Sequence, residues 1–252
     1  MQIVNKIITN LSYLNSPSKR KLIQIARQLN NQYGLEIGGP SSIFQVKGIF
    51  PVYVYAKKVD GVNFSNETIW EGKLDAGNTY NYFEHFYGYQ YIAEATDLNM
   101  IESNKYDFVL SSHSLEHTAN PIKALKEWNR VLKKNGKLVL VLPDKENTFD
   151  NNRPYTSFEH LLNDFNTDIK EDDQTHIEEI LQLHDYSRDN TVDKLKFAER
   201  LKENLVHRSA HHHVFSFKLI ENILELASFK VLYQQKNNPF HLVTIAQKIN
   251  VS

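Results

Sequence analysis

A chain of 252 residues with 29 Lys plus Arg against 30 Asp plus Glu carries a formal charge of -1, so it has no general electrostatic pull toward nucleic acid or an anionic membrane. The absence of cysteine excludes disulfides, thiolate metal sites and cysteine nucleophiles. No run nears the ~20 apolar residues of a membrane span, and Met1 to Leu14 lacks the charged start, apolar core and cleavage site of a signal peptide. A cytoplasmic protein without a membrane span is therefore expected, of one α/β domain with an elaboration.

Pro17 and Ser18 are start signals for a helix over 18–30, with Leu22, Ile25, Ala26 and Leu29 at helical spacing. The next stretch, Gly34-Leu35-Glu36-Ile37-Gly38-Gly39-Pro40-Ser41, organises the rest. An apolar pair carrying one acid runs into two glycines, the pattern of a buried parallel strand (Leu35 to Ile37) ending in a turn whose bare N–H groups can face a nucleotide-like ligand. An ordinary strand-to-loop turn would read the same way. Pro51 to Asn63 alternates aromatic and β-branched residues, which predicts a second strand ending in Asp60-Gly61. Asp60 lies 24 residues beyond Glu36. In dinucleotide-type folds an acid roughly 20 residues past the glycine turn accepts hydrogen bonds from ribose hydroxyls, although a plain Asp-Gly turn fits the same residues.

Residues 66–90 are rich in Asn, Gly, Tyr and Phe, show no crossover helix and receive no assignment. Gln90 to Leu98 reads as a short strand followed by acids. Tyr106 to His113 reads as a buried strand that leaves small polar residues and a histidine at its carboxyl end, where ligands of open α/β sheets collect. Asn120-Pro121 opens a helix to Leu132, with Ile122, Leu125, Trp128 and Leu132 on one face and Lys133-Lys134-Asn135-Gly136 as its stop. Lys137 to Leu142 is the next buried strand, ended by Pro143-Asp144. Strands alternating with helices predict a doubly wound, mainly parallel sheet over 1–143. Residues 144–213 break the pattern. They are polar, with short helical candidates at Ser157 to Phe165, Thr175 to Leu183 and Val192 to Leu205, and are expected to form a mostly helical insert covering the strand ends. Residues 214–252 complete the core with an amphipathic helix, Phe217 to Ala227, and two strands, Phe229 to Tyr233 and Leu242 to Ala246, joined through Asn237-Asn238-Pro239 as an antiparallel edge hairpin.

Several of these pieces recur in a familiar order. Glu36-Ile-Gly38-Gly39-Pro40, then Glu94-Ala95-Thr96-Asp97-Leu98, then Asp107-Phe-Val-Leu-Ser-Ser-His-Ser-Leu-Glu-His117 with Asn120-Pro121 and Arg130-Val-Leu-Lys-Lys-Asn-Gly136 together resemble the class I S-adenosylmethionine-dependent methyltransferases of type 11, over about three quarters of the chain. The resemblance implies a Rossmann-like methyltransferase fold with S-adenosyl-L-methionine as cofactor. By that resemblance Gly38, Gly39 and Pro40 let backbone approach the methionine moiety, and Glu36 orders the loop. Asp60 holds the ribose hydroxyls, Glu94 accepts from the adenine amino group, and Ala95 with Thr96 flanks the adenine. Ser112 and His113 line the cleft near the sulfonium. The chain departs from the family at Gly39-Pro40-Ser41, where many relatives carry further small residues and glycine.

The stretches Thr148-Phe-Asp150-Asn-Asn-Arg153-Pro154, His160-Leu-Leu-Asn-Asp164, Glu171-Asp-Asp-Gln-Thr-His176, Leu183-His184-Asp185 and His211-His-His213-Val-Phe215 also resemble a narrower subgroup associated with bacterial glycan or cell-surface polysaccharide synthesis. That resemblance implies O-methylation of a sugar or glycan intermediate. A sugar hydroxyl is a poor nucleophile and benefits from a base in hydrogen-bond reach. His113, ending a strand beside the cofactor, is the first candidate, and a capping or packing histidine is the alternative. His117 is the second candidate, with an orienting hydrogen bond as its alternative. Asp150 and Arg153 are expected near the acceptor, where Arg153 could hold a phosphate or carboxylate in a bidentate grip. His211, His212 and His213 raise a metal reading, but adjacent residues of an extended segment point to opposite faces and at most two would share a site, so no metal ion is assigned. His160, Asp164, His176, His184 and Asp185 could form a polar substrate pocket or simply exposed helix faces. The partner expected is a small-molecule or glycan acceptor. N-methylation of an amino sugar or small metabolite, which needs no strong base, and a non-catalytic cofactor-binding module remain as the other two readings.

Overall fold

The computed structural model describes Thr9, residues 17–189 and residues 193–249, so Val192 and all of Met1 to Leu14 except Thr9 lie outside the described residues. Its centre is an eight-stranded sheet in the order β5-β6-β2-β1-β7-β8-β10-β9. The strands are β1 (Tyr33–Ile37), β2 (Lys58–Asn63), β5 (Gly77–Phe83), β6 (Phe86–Ile92), β7 (Tyr106–Ser112), β8 (Leu132–Pro143), β9 (Phe229–Asn237) and β10 (His241–Lys248), while β3 (Glu67–Thr68) and β4 (Gly72–Lys73) form a separate two-stranded ribbon. The five strands from β6 to β8 run parallel. β5 closes one edge antiparallel to β6, and β10 with β9 closes the other. This is the doubly wound, Rossmann-like sheet with the expected C-terminal antiparallel hairpin.

Period-2 alternation sorts the core into two layers. On β7 and β8, Val109, Leu138, Leu140 and Leu142 turn to one face, where they meet Ile122, Leu125 and Trp128 of α2 (Pro121–Val131) and Leu219, Ile220 and Ile223 of α7 (Phe217–Leu226). Phe108, Leu110, Val139 and Val141 turn to the other face and pack on Leu22, Ala26 and Leu29 of α1 (Pro17–Gln28) and on the aromatic run Phe50 to Tyr55. Helix α2 starts where its sequence says it should. Pro121 occupies the first turn and the Asn120 side chain accepts from the Lys123 amide at 3.1 Å.

Two local expectations are corrected. Pro51 to Ala56 is not the front of a long strand: Val52–Val54 makes a buried 3-10 turn that carries Tyr53 toward Glu36, and β2 begins only at Lys58. Lys133 to Gly136 is not a helix terminus. Leu132 already pairs with Tyr106, so the helix stops at Val131 and β8 starts through an irregular stretch with Asn135 at φ 61. Residues 66–90, left without an assignment in the sequence, form the β3–β4 ribbon and the start of the β5–β6 hairpin.

Between Pro143 and α7 the chain makes four short helices, α3 (Phe158–Asn166), α4 (Ile177–Leu183), α5 (Lys194–Lys202) and α6 (Asn204–His207). Ile180, Phe197, Leu201 and Ala210 give this segment a small core of its own. No helix among the described residues is long and apolar enough to cross a membrane.

Candidate active site

The carboxyl ends of β1, β2 and β7 open into a cavity of about 550 Å³. Its floor is the glycine turn. Gly38 adopts φ 75 and extends the ladder through its amide to the Val62 carbonyl at 2.8 Å, and a Cβ there would sit 2.7 Å from Ser114 Oγ. A Cβ on Gly39 would fall 2.2 Å from the carboxyl carbon of Glu36. Side chains are thus excluded at both positions by what lies against them. Glu36 is fully buried under this loop and accepts from the Tyr53 hydroxyl, the Tyr80 hydroxyl at 2.7 Å and the Ser41 amide at 2.9 Å. Burial raises its pKa to about 7 even though those three hydrogen bonds oppose the shift. Gly38, Pro40 and Ser41 face the cavity, while Glu36 and Gly39 hold the loop from behind.

Further residues named in the sequence divide in the same way. Glu94, Ala95, Ser112, His113 and His117 line the cavity, and Thr96 lies outside the lining. The Ala95 carbonyl accepts from the Trp128 indole N–H at 3.1 Å, which ties this loop to α2. Glu94 is met by Arg208 of the insert, whose Nη2 lies 2.5 Å from Oε1 and whose guanidinium stands over the Phe64 ring. Asp60 is placed elsewhere. Its carboxylate accepts from the Tyr106 hydroxyl and the Tyr89 amide, each at 2.8 Å, beside Lys58 at 3.2 Å, in a shallow hollow apart from the cavity. The reason is register. Asp60 pairs with Leu35 in mid-sheet, three residues before β2 ends at Asn63. Asn63 is the polar side chain at that strand end: it lines the cavity and its Nδ2 donates to the Gly39 carbonyl at 3.1 Å. The count from the glycine turn pointed to an acid, whereas the end of the β-branched run pointed to Asn63.

The wall opposite is built by imidazoles. His113, at φ 50, has Nε2 2.9 Å from His241 Nδ1, while its Nδ1 stands 3.5 Å from Glu116 Oε1, near that carboxylate but outside hydrogen-bonding geometry. His117 faces the Ala210 carbonyl through Nδ1 at 3.0 Å, which places its proton there and leaves Nε2 as a bare acceptor. Burial, reinforced by the neighbouring His211, lowers its pKa to about 4. His211, a residue considered in the sequence only as a metal ligand, faces the cavity with Nδ1 held 2.5 Å from Asp150 Oδ2. Burial disfavours its charge, but the charge and hydrogen bond of Asp150 leave its pKa above the ordinary value. Glu116, His117 and His211 bring their ligating atoms within 4.8 Å of one another, and both Glu116 oxygens are buried without a hydrogen-bond partner.

Asp150 and Arg153 do not line the cavity. Arg153 is 1% exposed and spends its guanidinium on Asp150 at 2.9 Å, Glu179 at 2.8 Å and the carbonyls of His211 and His212 at 2.8 and 3.3 Å. It positions the acid behind His211 and has no fork left for a ligand. His184 stacks on Phe149, with Asp185 exposing its carboxylate to Ser187 and Arg188. Trp70 and Phe240 add aromatic walls that no sequence motif announced, and Phe149, from the stretch Thr148 to Pro154, adds a third.

Residues 47–140 match the family model described as a methyltransferase domain, a span that begins downstream of the glycine turn. Among solved structures the chain is similar in fold to an S-adenosylmethionine-dependent methyltransferase from Mesorhizobium loti (10% identity, 92% of this chain and 96% of that one, TM-score 0.53). It is also similar to a candidate methyltransferase of the same type from Listeria monocytogenes (16% identity, 92% and 98%, TM-score 0.51) and to the Haloferax volcanii complex of the Trm112 methyltransferase activator with a methyltransferase (12% identity, 100% and 95%, TM-score 0.52). No curated protein matches the chain. The cofactor implied is S-adenosyl-L-methionine, and the site suits it. Two glycines clear a backbone cradle, Asn63 and Glu94 offer polar groups at successive strand ends, and the cavity has the volume of a small-molecule site.

Proposed function

We propose that the protein methylates a hydroxyl of a sugar or glycan intermediate, with His211 as the base. The observation that carries this reading is the Asp150–His211 pair at the cavity wall: the carboxylate fixes the proton on Nδ1 and turns Nε2 toward the space an acceptor would enter. S-adenosylmethionine, when bound, supplies an electrophilic methyl group. The protein's part is to hold the acceptor oxygen in line and to take its proton at His211 Nε2 as the oxygen is alkylated. Asp150 stabilises the imidazolium so formed, and Arg153 keeps Asp150 in place. His117, neutral in its buried setting, is placed to accept a hydrogen bond from a second hydroxyl at Nε2. His113, with Nε2 held by His241, serves here as a wall of the site.

Support for a polyhydroxylated acceptor comes from the insert side of the cavity. There Asn147, Thr148 and Asp189 stand beside the rings of Phe149 and Phe240, a mixture of hydrogen-bonding groups and flat apolar faces that suits a sugar. The test is titration calorimetry with S-adenosylhomocysteine, followed by a screen of nucleotide sugars and glycans for methyl acceptance from labelled S-adenosylmethionine. Methylation of a sugar hydroxyl that is lost in His211→Asn would uphold the proposal. Methylation confined to amino sugars or small amines, and retained in His211→Asn, would replace it with N-methylation.

A further inference from the structure

Below the cavity, and not lining it, a second group of imidazoles gathers where the insert meets the start of α2. His160 and Asp164 stand one turn apart on α3, His176 caps α4, and His213 belongs to the extended segment that leads into α7. His160 Nε2 lies 3.1 Å from His176 Nε2 and 3.3 Å from Asp164 Oδ2. His213 Nε2 lies 3.8 Å from the same carboxylate oxygen. One ligating atom from each of the four falls within 4.8 Å of all the others.

Hydrogen bonding alone leaves this group short. His160 Nε2 carries at most one proton yet faces two acceptors, and Asp164 Oδ2, on a side chain 6% exposed, is buried without a hydrogen-bond partner. His213 Nε2 stands between the Ala119 carbonyl at 3.1 Å and that carboxylate, and its buried Nδ1 has no hydrogen-bond partner. A second carboxylate, Asp173, is already engaged by Thr175 and stands 3.8 Å from His212. Ligands about 2.0–2.1 Å from a tetrahedral ion lie roughly 3.3 Å apart, close to the first two spacings seen here.

We propose that His160, Asp164, His176 and His213 hold one divalent cation of the zinc class in a closed, four-ligand site. The ion satisfies the orphaned carboxylate oxygen and joins α3, the cap of α4 and the segment 211–213 to the loop before α2. Because the amide of His212 donates to the Glu116 carbonyl at 2.8 Å, the site also steadies the loop that carries Glu116 and His117 and the strand of chain that carries His211. The inference does not rest on the proposed methyl acceptor.

The test uses the full chain, purified without a histidine tag and dialysed against metal-free buffer. Elemental analysis is expected to find about one zinc per chain after zinc(II) loading, and cobalt(II) loading is expected to give the intense visible bands of a tetrahedral nitrogen–oxygen site. His160→Gln and His176→Ala, both on partly exposed side chains, are expected to weaken zinc binding at least tenfold, while His117→Ala keeps it. Thermal unfolding of the wild type with and without chelator reads the same site without any substitution, and a midpoint lowered by chelator is expected. Three results would overturn the proposal: no stoichiometric metal after loading, octahedral cobalt spectra, or metal retained by His160→Gln and His176→Ala but lost in His117→Ala. The last would assign the ion to Glu116, His117 and His211.

Discussion

The floor of the cavity is fixed by its own sheet, whereas the wall that completes it is fixed by pairs of residues far apart in sequence. Glu36 finds Ser41 five residues on and Tyr53 17 on, in the segment between β1 and β2, and Tyr80 44 on, on β5 of the same sheet. His211 depends on Asp150, 61 residues before it, and Glu94 on Arg208, 114 residues after it. Sheet ladders and apolar layers hold the floor, so single side-chain changes there act mainly on cofactor fit. Buried charge pairs hold the wall, and the loss of one partner leaves the other uncompensated. The two regions are expected to answer mutation differently, binding in the first and turnover in the second.

The largest effect is expected from the wall. His211→Asn removes the base but keeps a group that can fill the space near Asp150, so kcat should fall by about 10²–10⁴-fold with S-adenosylhomocysteine affinity unchanged. A parallel loss of cofactor affinity would mean that wall and floor are one unit and would break the distinction. Asp150→Asn should follow His211→Asn in direction, because it removes the charge that stabilises the imidazolium.

A smaller effect separates two side chains of β2. Asn63→Ala should weaken S-adenosylhomocysteine about tenfold, since it removes a cavity group and its hydrogen bond to the Gly39 carbonyl. Asp60→Asn should leave that affinity alone and instead lower stability by about 1–3 kcal/mol, by weakening the contacts to the Tyr106 hydroxyl and the Tyr89 amide. Calorimetry and urea denaturation of the two variants decide which residue serves the cofactor. Reversal of the pattern would restore the ribose role to Asp60.

That contrast also shows how far the sequence could be read. The alternation Phe108-Val109-Leu110 and Leu138 to Leu142 declared two-sided burial, and Gly38-Gly39 declared a tight strand end, so the parallel sheet and its glycine turn were legible. Asp60 sits away from the cavity because residue counting gives distance along the chain, while the cavity is defined by where β2 stops pairing. The β5–β6 hairpin escaped because its aromatic and glycine-rich strands pair with irregular register. His211 was visible as a histidine, but its role depends on which residue holds Nδ1, and no local pattern ties position 211 to position 150. The same holds for His160, Asp164, His176 and His213, which converge only after α3 and α4 have folded back on α2.

The last effect concerns the floor and is read through pH. An ordinary glutamate titrates near 4.5, and burial moves Glu36 to about 7 in the fold. Between those values the folded chain binds a proton that the unfolded chain has released. Its contribution to stability is therefore fully present below about pH 4.5, falls as pH rises toward 7 and changes no further above it. Glu36→Gln is permanently neutral and should not show this slope. The difference in unfolding free energy between Glu36→Gln and the wild type should move in favour of the variant from pH 5 to pH 7, by an amount on the order of 2–3 kcal/mol. Subtraction of the two curves cancels the other titrating groups, the imidazole wall included. A flat difference would mean that Tyr53, Tyr80 and Ser41 solvate the carboxylate well enough to offset its burial, and the floor would then hold a buried charge as the wall does, on hydrogen bonds in place of an opposite charge.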